Sequence, residues 1–349
     1  MCFCCTPKAF AAESNFNVEQ TATILINNAL THPDEFYLPD LTNKAIYICR
    51  PIHPHVIEGN GFMQCNDIEY YMIRTENDII ACVTLCYEDG EVVSASLDIG
   101  LANIINGHCE LEDAFRIVVQ SGTVYLKTAD GVVNGMASAQ VMPRDAEQNV
   151  TIASINNIEG ELDTLIVQSE LLGIIANPIV ARSSRILSVP YVSQEGLPIC
   201  WAAAAAAMGR YYTGSAYVNY SASTLAAMVG VGNQGGTILD SMKILSDIFH
   251  VNTTFYNGRL SNNTTINLFQ QGKPILAVFH GYYDAIPEQE VGHMVVLCGY
   301  DDNNTGSNTI LYIRDSNYTT LTSVISFSDN ELRMDYYTGI TMYWVQGAY

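Results

Sequence analysis

The N-terminal part of the chain changes from a helix-type to a strand-type pattern of apolar residues. Between residues 17 and 31 apolar side chains recur every three or four positions, which predicts one amphipathic helix, and Pro33 marks its end. From residue 45 to about residue 133 the pattern becomes short β-rich runs separated by polar or glycine-containing turns. We therefore expect a small antiparallel sheet packed with helix.

The C-terminal half has a different order of elements. Six consecutive alanines, residues 202–207, predict a helix that begins at or near Cys200, because alanine is the best helix former and Pro198 stands just ahead. Two apolar runs, 293–300 and 309–314, predict strands. The basic, small-residue segment 181–185 predicts an exposed linker that is open to cleavage.

The length favours two domains. At 349 residues the chain exceeds the ~100–200 residues of a typical domain. We predict one α+β unit over residues 13–182 and a second over residues 183–349. Residues 1–12 contain Ala9-Phe10-Ala11, a pattern of the kind that precedes signal cleavage, so they are predicted to be a signal-peptide remnant and the protein to be secreted.

Charge excludes several classes of partner. With 15 Lys and Arg against 36 Asp and Glu, the formal net charge is −21, and such a surface repels the phosphates of nucleic acid and of anionic membranes. No apolar run approaches the ~18–20 residues of a membrane span. Most of the charge, −16, falls in residues 1–184, which leaves −5 for residues 185–349.

Cysteines favour neither a disulfide framework nor a metal site. The N-terminal half after residue 12 contains five cysteines, an odd number. Cys82 and Cys86 have a spacing that also suits a metal site, but on a strand they share one face, where buried apolar cysteines are expected. No His or Cys pair lies nearby to complete a tetrahedral set. We predict no metal and no cofactor.

The residues that carry chemistry are spread over the second half. A cysteine at a helix start faces unsatisfied amides and the positive end of the helix dipole, which favour its thiolate. Gln194, six residues before Cys200, is placed to donate a hydrogen bond to an oxyanion beside the Cys200 N–H. If the two predicted strands are adjacent and antiparallel, Asp315 returns beside His293 and accepts a hydrogen bond from its ring.

These motifs occur in an order that resembles the papain-like cysteine peptidases. Gln194 with Cys200-Trp201 comes first, Gly235-Gly236 before a helix second, and Gly292-His293 on a strand third. The resemblance covers roughly residues 186–349 and is greatest to compact bacterial enzymes of the staphopain type. It implies a helical lobe and an antiparallel β-barrel-like lobe, preceded by a small α+β propeptide domain.

The resemblance also implies roles for individual residues. Cys200 would be the nucleophile, His293 the general base and then acid, and Gln194 the oxyanion donor. Asp315 would orient His293 where papain has an asparagine, so that Asn317 is a rival for this role. The implied substrate-binding residues are Gly235 and Gly236, whose backbone would pair with an extended peptide, and Trp201.

Together these observations predict a secreted, monomeric cysteine endopeptidase that acts on proteins or peptides and is made as a zymogen. Residues 13–182 would act as an intramolecular inhibitor that is removed by cleavage near Arg182 or Arg185. Two alternatives stay open: a transglutaminase-like or other acyl transferase with the same triad, and a catalytically silent binding module with the same fold.

Overall fold

The computed structural model describes residues 16–41, 43–58, 61–120, 123–137, 155, 162–171, 183–214, 220–283, 286–302, 309–327, 332–335 and 340–349. The predicted signal remnant, residues 1–12, lies outside these ranges. No helix in this described part is long and apolar enough to cross a membrane.

A large antiparallel sheet of thirteen strands forms the centre of the molecule. Its main path runs β10-β1-β4-β5-β6-β16-β15-β14-β13-β18-β12, with β11 beside β14 and β17 beside β18. The strands are β1 (Tyr47–Cys49), β4 (Ile68–Arg74), β5 (Ile79–Glu88), β6 (Glu91–Asp98), β10 (Val167–Glu170), β11 (Ser183–Ile186), β12 (Phe255–Asn257), β13 (Ile275–Tyr283), β14 (Ile286–Asp302), β15 (Thr309–Arg314), β16 (Leu321–Ser326), β17 (Arg333–Asp335) and β18 (Ile340–Ala348).

The sheet continues across the boundary that the sequence predicts between two units. Strand β6 pairs with β16 in an antiparallel ladder from Ser94 opposite Ser326 to Leu97 opposite Ser323. The sequence predicted a small sheet over residues 45 to about 133, whereas four strands from that range, together with β10, extend the C-terminal sheet. It also predicted a β-barrel-like lobe, but among the described strands the path is open and ends at β10 and β12.

A second sheet of five strands belongs wholly to the N-terminal part and has the order β3-β2-β7-β8-β9. Strands β2 and β7 pair in parallel, and the other neighbours pair antiparallel. Its strands are β2 (His55–Glu58), β3 (Gly61–Gln64), β7 (Phe115–Gln120), β8 (Thr123–Thr128) and β9 (Gly131–Ala137).

The N-terminal part contains three described helices, α1 (Val18–Leu30), α2 (Pro33–Phe36) and α3 (Gly100–His108). The predicted helix α1 is confirmed, and Asn17 caps it by accepting a hydrogen bond from the Gln20 N–H. Its buried face joins the core that also covers the C-terminal strands.

A helical layer covers the C-terminal strands. It consists of α4 (Cys200–Thr213), α5 (Ala222–Met228), α6 (Ile238–Lys243), the π-helical turn Ile244–Ile248 and α7 (Asn262–Gln270). Helix α4 begins at Cys200 as predicted, and its six alanines are all buried. Small side chains let this helix pack closely in the core with β14.

The predicted linker is a strand where the structure describes it. Residues 183–186 form β11, which pairs with β14 from Ser183 opposite Asp302 to Ile186 opposite Gly299. A Cβ at Gly299 would overlap the Arg185 carbonyl, so the two backbones approach closely here. The Arg185 side chain is exposed and donates to the Gln270 carbonyl at 2.5 Å, whereas Arg182 lies outside the described residues.

Two apolar clusters form the core. The larger one contains residues of α1, of the helical layer and of the strands from both halves. The smaller one lies between β4, β5, α3 and the five-stranded sheet. Cys82 and Cys86 are both buried on β5, as the sequence predicted.

Candidate active site

Cys200 is the first residue of helix α4. Ile199 occupies the N-cap position and provides no side-chain acceptor for the first amides of the helix. The chain reaches this point through a tight turn in which Glu195 and Gly196 both have left-handed backbone conformations. The turn reverses the chain, and the Leu197 N–H donates to the Gln194 carbonyl at 2.9 Å.

His293 lies in the interior of β14, which begins at Ile286 rather than at residue 293 as the sequence predicted, and it meets Asp315 directly after the end of β15. His293 Nε2 lies 2.9 Å from Asp315 Oδ2 and 3.0 Å from Oδ1, and both side chains are almost completely buried. The antiparallel pairing of β14 with β15 produces this contact, as the sequence predicted. The geometry leaves the other ring nitrogen, Nδ1, for a second partner.

The surroundings of His293 favour its protonated form. Burial alone lowers the pKa of this imidazole, but the charge and hydrogen bond of Asp315 raise it, and the electrostatic effect of the Cys200 side chain raises it further. The net result is a pKa well above the ordinary histidine value. His293 therefore interacts with Asp315 on one side and with Cys200 on the other.

Gln194 is held in one orientation by its neighbours. Its amide oxygen accepts a hydrogen bond from the Ser316 hydroxyl at 2.7 Å, and its Nε2 donates to the Leu197 carbonyl at 3.2 Å. The side chain is 2% exposed. One N–H of the amide remains to be directed at a ligand, because the amide nitrogen carries two hydrogens.

Asn317 supports Asp315 rather than replacing it. The Asn317 backbone N–H donates to Asp315 Oδ1 at 2.9 Å, whereas the Asp315 carboxylate itself contacts His293. Of the two rivals that the sequence left open, the geometry favours Asp315 as the residue that orients the imidazole.

Trp201 lies under the loop that contains Gly235 and Gly236. Its indole N–H donates to the Gln234 carbonyl at 2.9 Å, and a Cβ at Gly236 would overlap the indole ring. Trp201 is only 1% exposed, so the predicted direct contact with substrate is not what this geometry provides. It supports the loop from below, and the two glycines are partly accessible above it. The loop then enters α6 through a capping box at Thr237.

Several residues around the site were missed by the sequence analysis. Ser316 and Arg314 flank Asp315, and both are buried. Asp98, at the end of β6, is also buried, accepts a hydrogen bond from the Leu101 N–H and interacts electrostatically with Asp315. In the sequence, only the positions of Arg314 and Ser316 next to Asp315 point to the site. Polar residues at strand ends are usually solvated, so the burial of these side chains was not expected.

No group of three or more His, Cys, Asp or Glu side chains arranged to hold a metal ion occurs within the described ranges. The described residues of this site are a thiol, an imidazole and a carboxylate, and the Gln194 amide is bonded to Ser316, the neighbour of Asp315. Such an arrangement suits nucleophilic attack on a carbonyl group.

Comparisons with known proteins agree with this chemistry. Residues 186–342 match the model of the Peptidase_C39 like family, a segment that is less than half of the chain and contains Gln194, Cys200, His293 and Asp315. The comparison with curated proteins gave no match. The match supports a cysteine peptidase in the C-terminal part.

One solved structure with partial similarity is described as the crystal structure of UfSP from C. elegans. It shares 11% identity with this chain at a TM-score of 0.27. The alignment covers 44% of this chain and 35% of that one, so this chain spans about a third of that protein's length.

Proposed function

We propose that the protein is a cysteine endopeptidase whose nucleophile is Cys200. The observation that carries the proposal is the buried contact between His293 and Asp315, together with the electrostatic effect of Cys200, the first residue of α4, on the His293 imidazole. The family match over residues 186–342 supports the same class of enzyme.

In the proposed reaction, His293 accepts the thiol proton of Cys200 and remains as an imidazolium stabilised by Asp315. The thiolate attacks the peptide carbonyl carbon, and a tetrahedral oxyanion forms. His293 then donates its proton to the leaving amine, the C–N bond breaks, and an acyl-thioester remains on Cys200. His293 next accepts a proton from water, which attacks the thioester and releases the acid. The thiolate leaves, and His293 is again protonated.

Gln194 would stabilise the oxyanion in both tetrahedral states. Its amide has a fixed orientation because Ser316 and Leu197 each hold one end of it. A donor that is oriented before substrate arrives stabilises the transition state without reorganisation. The second donor would be the backbone N–H of Cys200, at the positive end of helix α4.

The substrate would be an extended protein or peptide segment. The backbone of Gly235 and Gly236 has no side chain to shield it, and Trp201 fixes it from below. A peptide that pairs with this loop would gain backbone hydrogen bonds whatever its sequence. Residues 235–236 would then align the scissile bond with Cys200.

We also propose that the enzyme is secreted and made as a zymogen, with the cut near Arg182 or Arg185. The exposed Arg185 side chain favours recognition by a trypsin-like enzyme, although its backbone is paired in β11. Mass spectrometry of the protein recovered from its source would give the cleavage position. An intact, fully active chain would argue against activation by cleavage.

The enzyme activity itself is tested with a quenched peptide library on protein that is purified as the full-length chain and cut near Arg185 with a serine protease, which is then inhibited. We expect hydrolysis that is abolished in Cys200→Ala and retained in Cys109→Ala, a matched control at a partly buried cysteine of the N-terminal part. Amine incorporation without hydrolysis would indicate an acyl transferase instead. Neither activity in the wild-type protein would favour a silent binding module and would overturn the proposal.

A further inference from the structure

Arg314 joins three separate segments around the site. Its guanidinium donates from Nε to the Val189 carbonyl at 3.2 Å, from Nη1 to the Thr319 carbonyl at 2.9 Å and from Nη2 to Glu35 Oε2 at 2.6 Å. The side chain is buried, with 9% of its surface exposed. Glu35 lies on α2, in the part that the sequence assigned to a removable propeptide.

Two of these segments carry residues of the proposed reaction. Val189 begins the stretch that leads to Gln194, and Thr319 ends the turn that contains Asp315 and Ser316. The two stretches also contact each other directly, because Ser316 accepts a hydrogen bond from the Gln194 N–H at 3.4 Å and donates one to the Gln194 side chain. Arg314 therefore fixes the distance between the oxyanion donor and the residue that orients His293.

The negative charge of Glu35 compensates Arg314. A cation that is removed from water and loses its partner is strongly unfavourable, whereas a well-bonded pair is tolerated. Without α2, Arg314 would reach towards solvent or another anion, and its bonds to Val189 and Thr319 would loosen. The N-terminal part thus contributes to the order of the site.

Further contacts hold the N-terminal part against the same strands. Asn28 of α1 is completely buried, donates to Asp301 at 2.6 Å and accepts from the Tyr312 hydroxyl at 2.6 Å. The β6–β16 ladder continues the sheet. Removal of β6 would leave the backbone of β16 unpaired at a sheet edge.

We propose that the N-terminal part stays bound to the C-terminal part in the active enzyme, and that Glu35 is a positioning residue that acts through Arg314. The proposal rests on the proposed peptidase function. It replaces the predicted release of residues 13–182: a cut near Arg182 or Arg185 gives a two-chain enzyme whose site depends on both chains.

The first test does not depend on activity. A recognition sequence for a site-specific protease is inserted between residues 171 and 183 of the full-length Cys200→Ala protein, and the purified protein is cut. We expect both fragments to elute together in size-exclusion chromatography at physiological salt and to separate only in denaturant. Fragments that elute apart in native buffer would overturn the proposal.

The second test measures positioning. We expect Glu35→Gln to lower kcat about tenfold with KM almost unchanged, since a ~1 Å misplacement of catalytic groups costs up to 10²-fold. Asp34→Asn is the matched control, because it removes the same charge from the same helix at an exposed position. In a Gln194→Ala background Glu35→Gln should have a smaller effect, because part of its effect passes through Gln194.

Equal rates for Glu35→Gln and Asp34→Asn, or an undiminished effect of Glu35→Gln in the Gln194→Ala background, would contradict the positioning role. If the wild-type chain hydrolyses no peptide, the proposed function fails, whereas the elution of the cut fragments still decides whether the N-terminal part is retained.

Discussion

The hydroxyl of Ser316 donates a hydrogen bond to the amide oxygen of Gln194 at 2.7 Å, and both side chains are buried. This bond decides which end of the Gln194 amide faces Ser316 and which end is left for the reacting carbonyl. Asp315, the neighbour of Ser316, orients His293. One turn therefore contacts both His293, the proposed acid–base residue, and Gln194, the proposed oxyanion donor.

Ser316→Ala should lower kcat/KM by about two- to tenfold, which corresponds to the ~0.5–1.5 kcal/mol of a neutral hydrogen bond. The amide of Gln194 would then adopt both orientations. Ser316→Thr keeps the hydroxyl and should retain most of the activity. Steady-state kinetics on one peptide substrate measures both variants, and a wild-type rate for Ser316→Ala would show that Leu197 alone holds the amide.

Asp315→Asn should move the alkaline limit of activity to lower pH. Burial opposes the charge on His293, but Asp315 outweighs it and raises the imidazole pKa above its ordinary value. Removing the carboxylate charge lowers that pKa, so the imidazolium that protonates the leaving amine is lost earlier as pH rises.

The measurement for Asp315→Asn is kcat/KM from pH 5 to pH 10 beside the wild-type protein. The loss of rate should be larger at alkaline than at neutral pH. An equal loss at every pH would mean that Asp315 only holds the ring in place.

Gly236→Ala should disturb the loop that contains Gly235 and Gly236, which is proposed to bind substrate. A Cβ at this position would overlap the indole of Trp201, which is completely packed and cannot move aside. The loop must shift instead, and we expect KM to rise by about tenfold or more, as for other ~1 Å displacements in a site. Gly107→Ala on α3 is the control, because a Cβ there meets open space. A KM equal to that of the control would exclude the loop from substrate binding.

Asp98→Asn should change how stability depends on pH. Burial raises the pKa of Asp98 to about 7 although backbone N–H groups of Leu101 and Gly100 oppose it, and the charge of Asp315 raises it further. A carboxyl whose folded-state pKa is raised contributes stability that is fully present below its ordinary pKa, near 3.8, and is lost as pH rises through about 7.

The asparagine stays neutral, so the variant should lose less stability than the wild-type protein between pH 4 and pH 8. Urea unfolding at a series of pH values measures this, with the exposed Asp130→Asn as control. If the free energy of unfolding depends on pH in the same way in Asp98→Asn and in the wild-type protein, the raised pKa of Asp98 is contradicted.

The local pattern of residue types was sufficient to predict some elements of the fold. Helix α1 follows from the spacing of its apolar residues, and the helix start at Cys200 follows from the alanine run. The His293–Asp315 contact needed only one assumption, that consecutive strands pair as neighbours.

The pairing of β6 with β16 could not be predicted, because it joins residues more than two hundred positions apart and periodicity does not name a partner. Segment 183–186 has the small and basic composition of a loop, yet it pairs with β14 because Gly299 permits a close approach. Arg314 and Ser316 are polar residues at a strand end, and only the packing of α2 and of Gln194 buries them.

The most direct test of the account is the labelling of Cys200 by a thiol-directed epoxide. Protein that has been cut near Arg185 is treated with the reagent while hydrolysis of a peptide is followed, and the modified residue is identified by mass spectrometry. We predict one adduct on Cys200, a loss of hydrolysis in proportion to it, and no adduct at this position in His293→Ala at neutral pH. Full hydrolysis by protein that is completely modified at Cys200 would contradict the account.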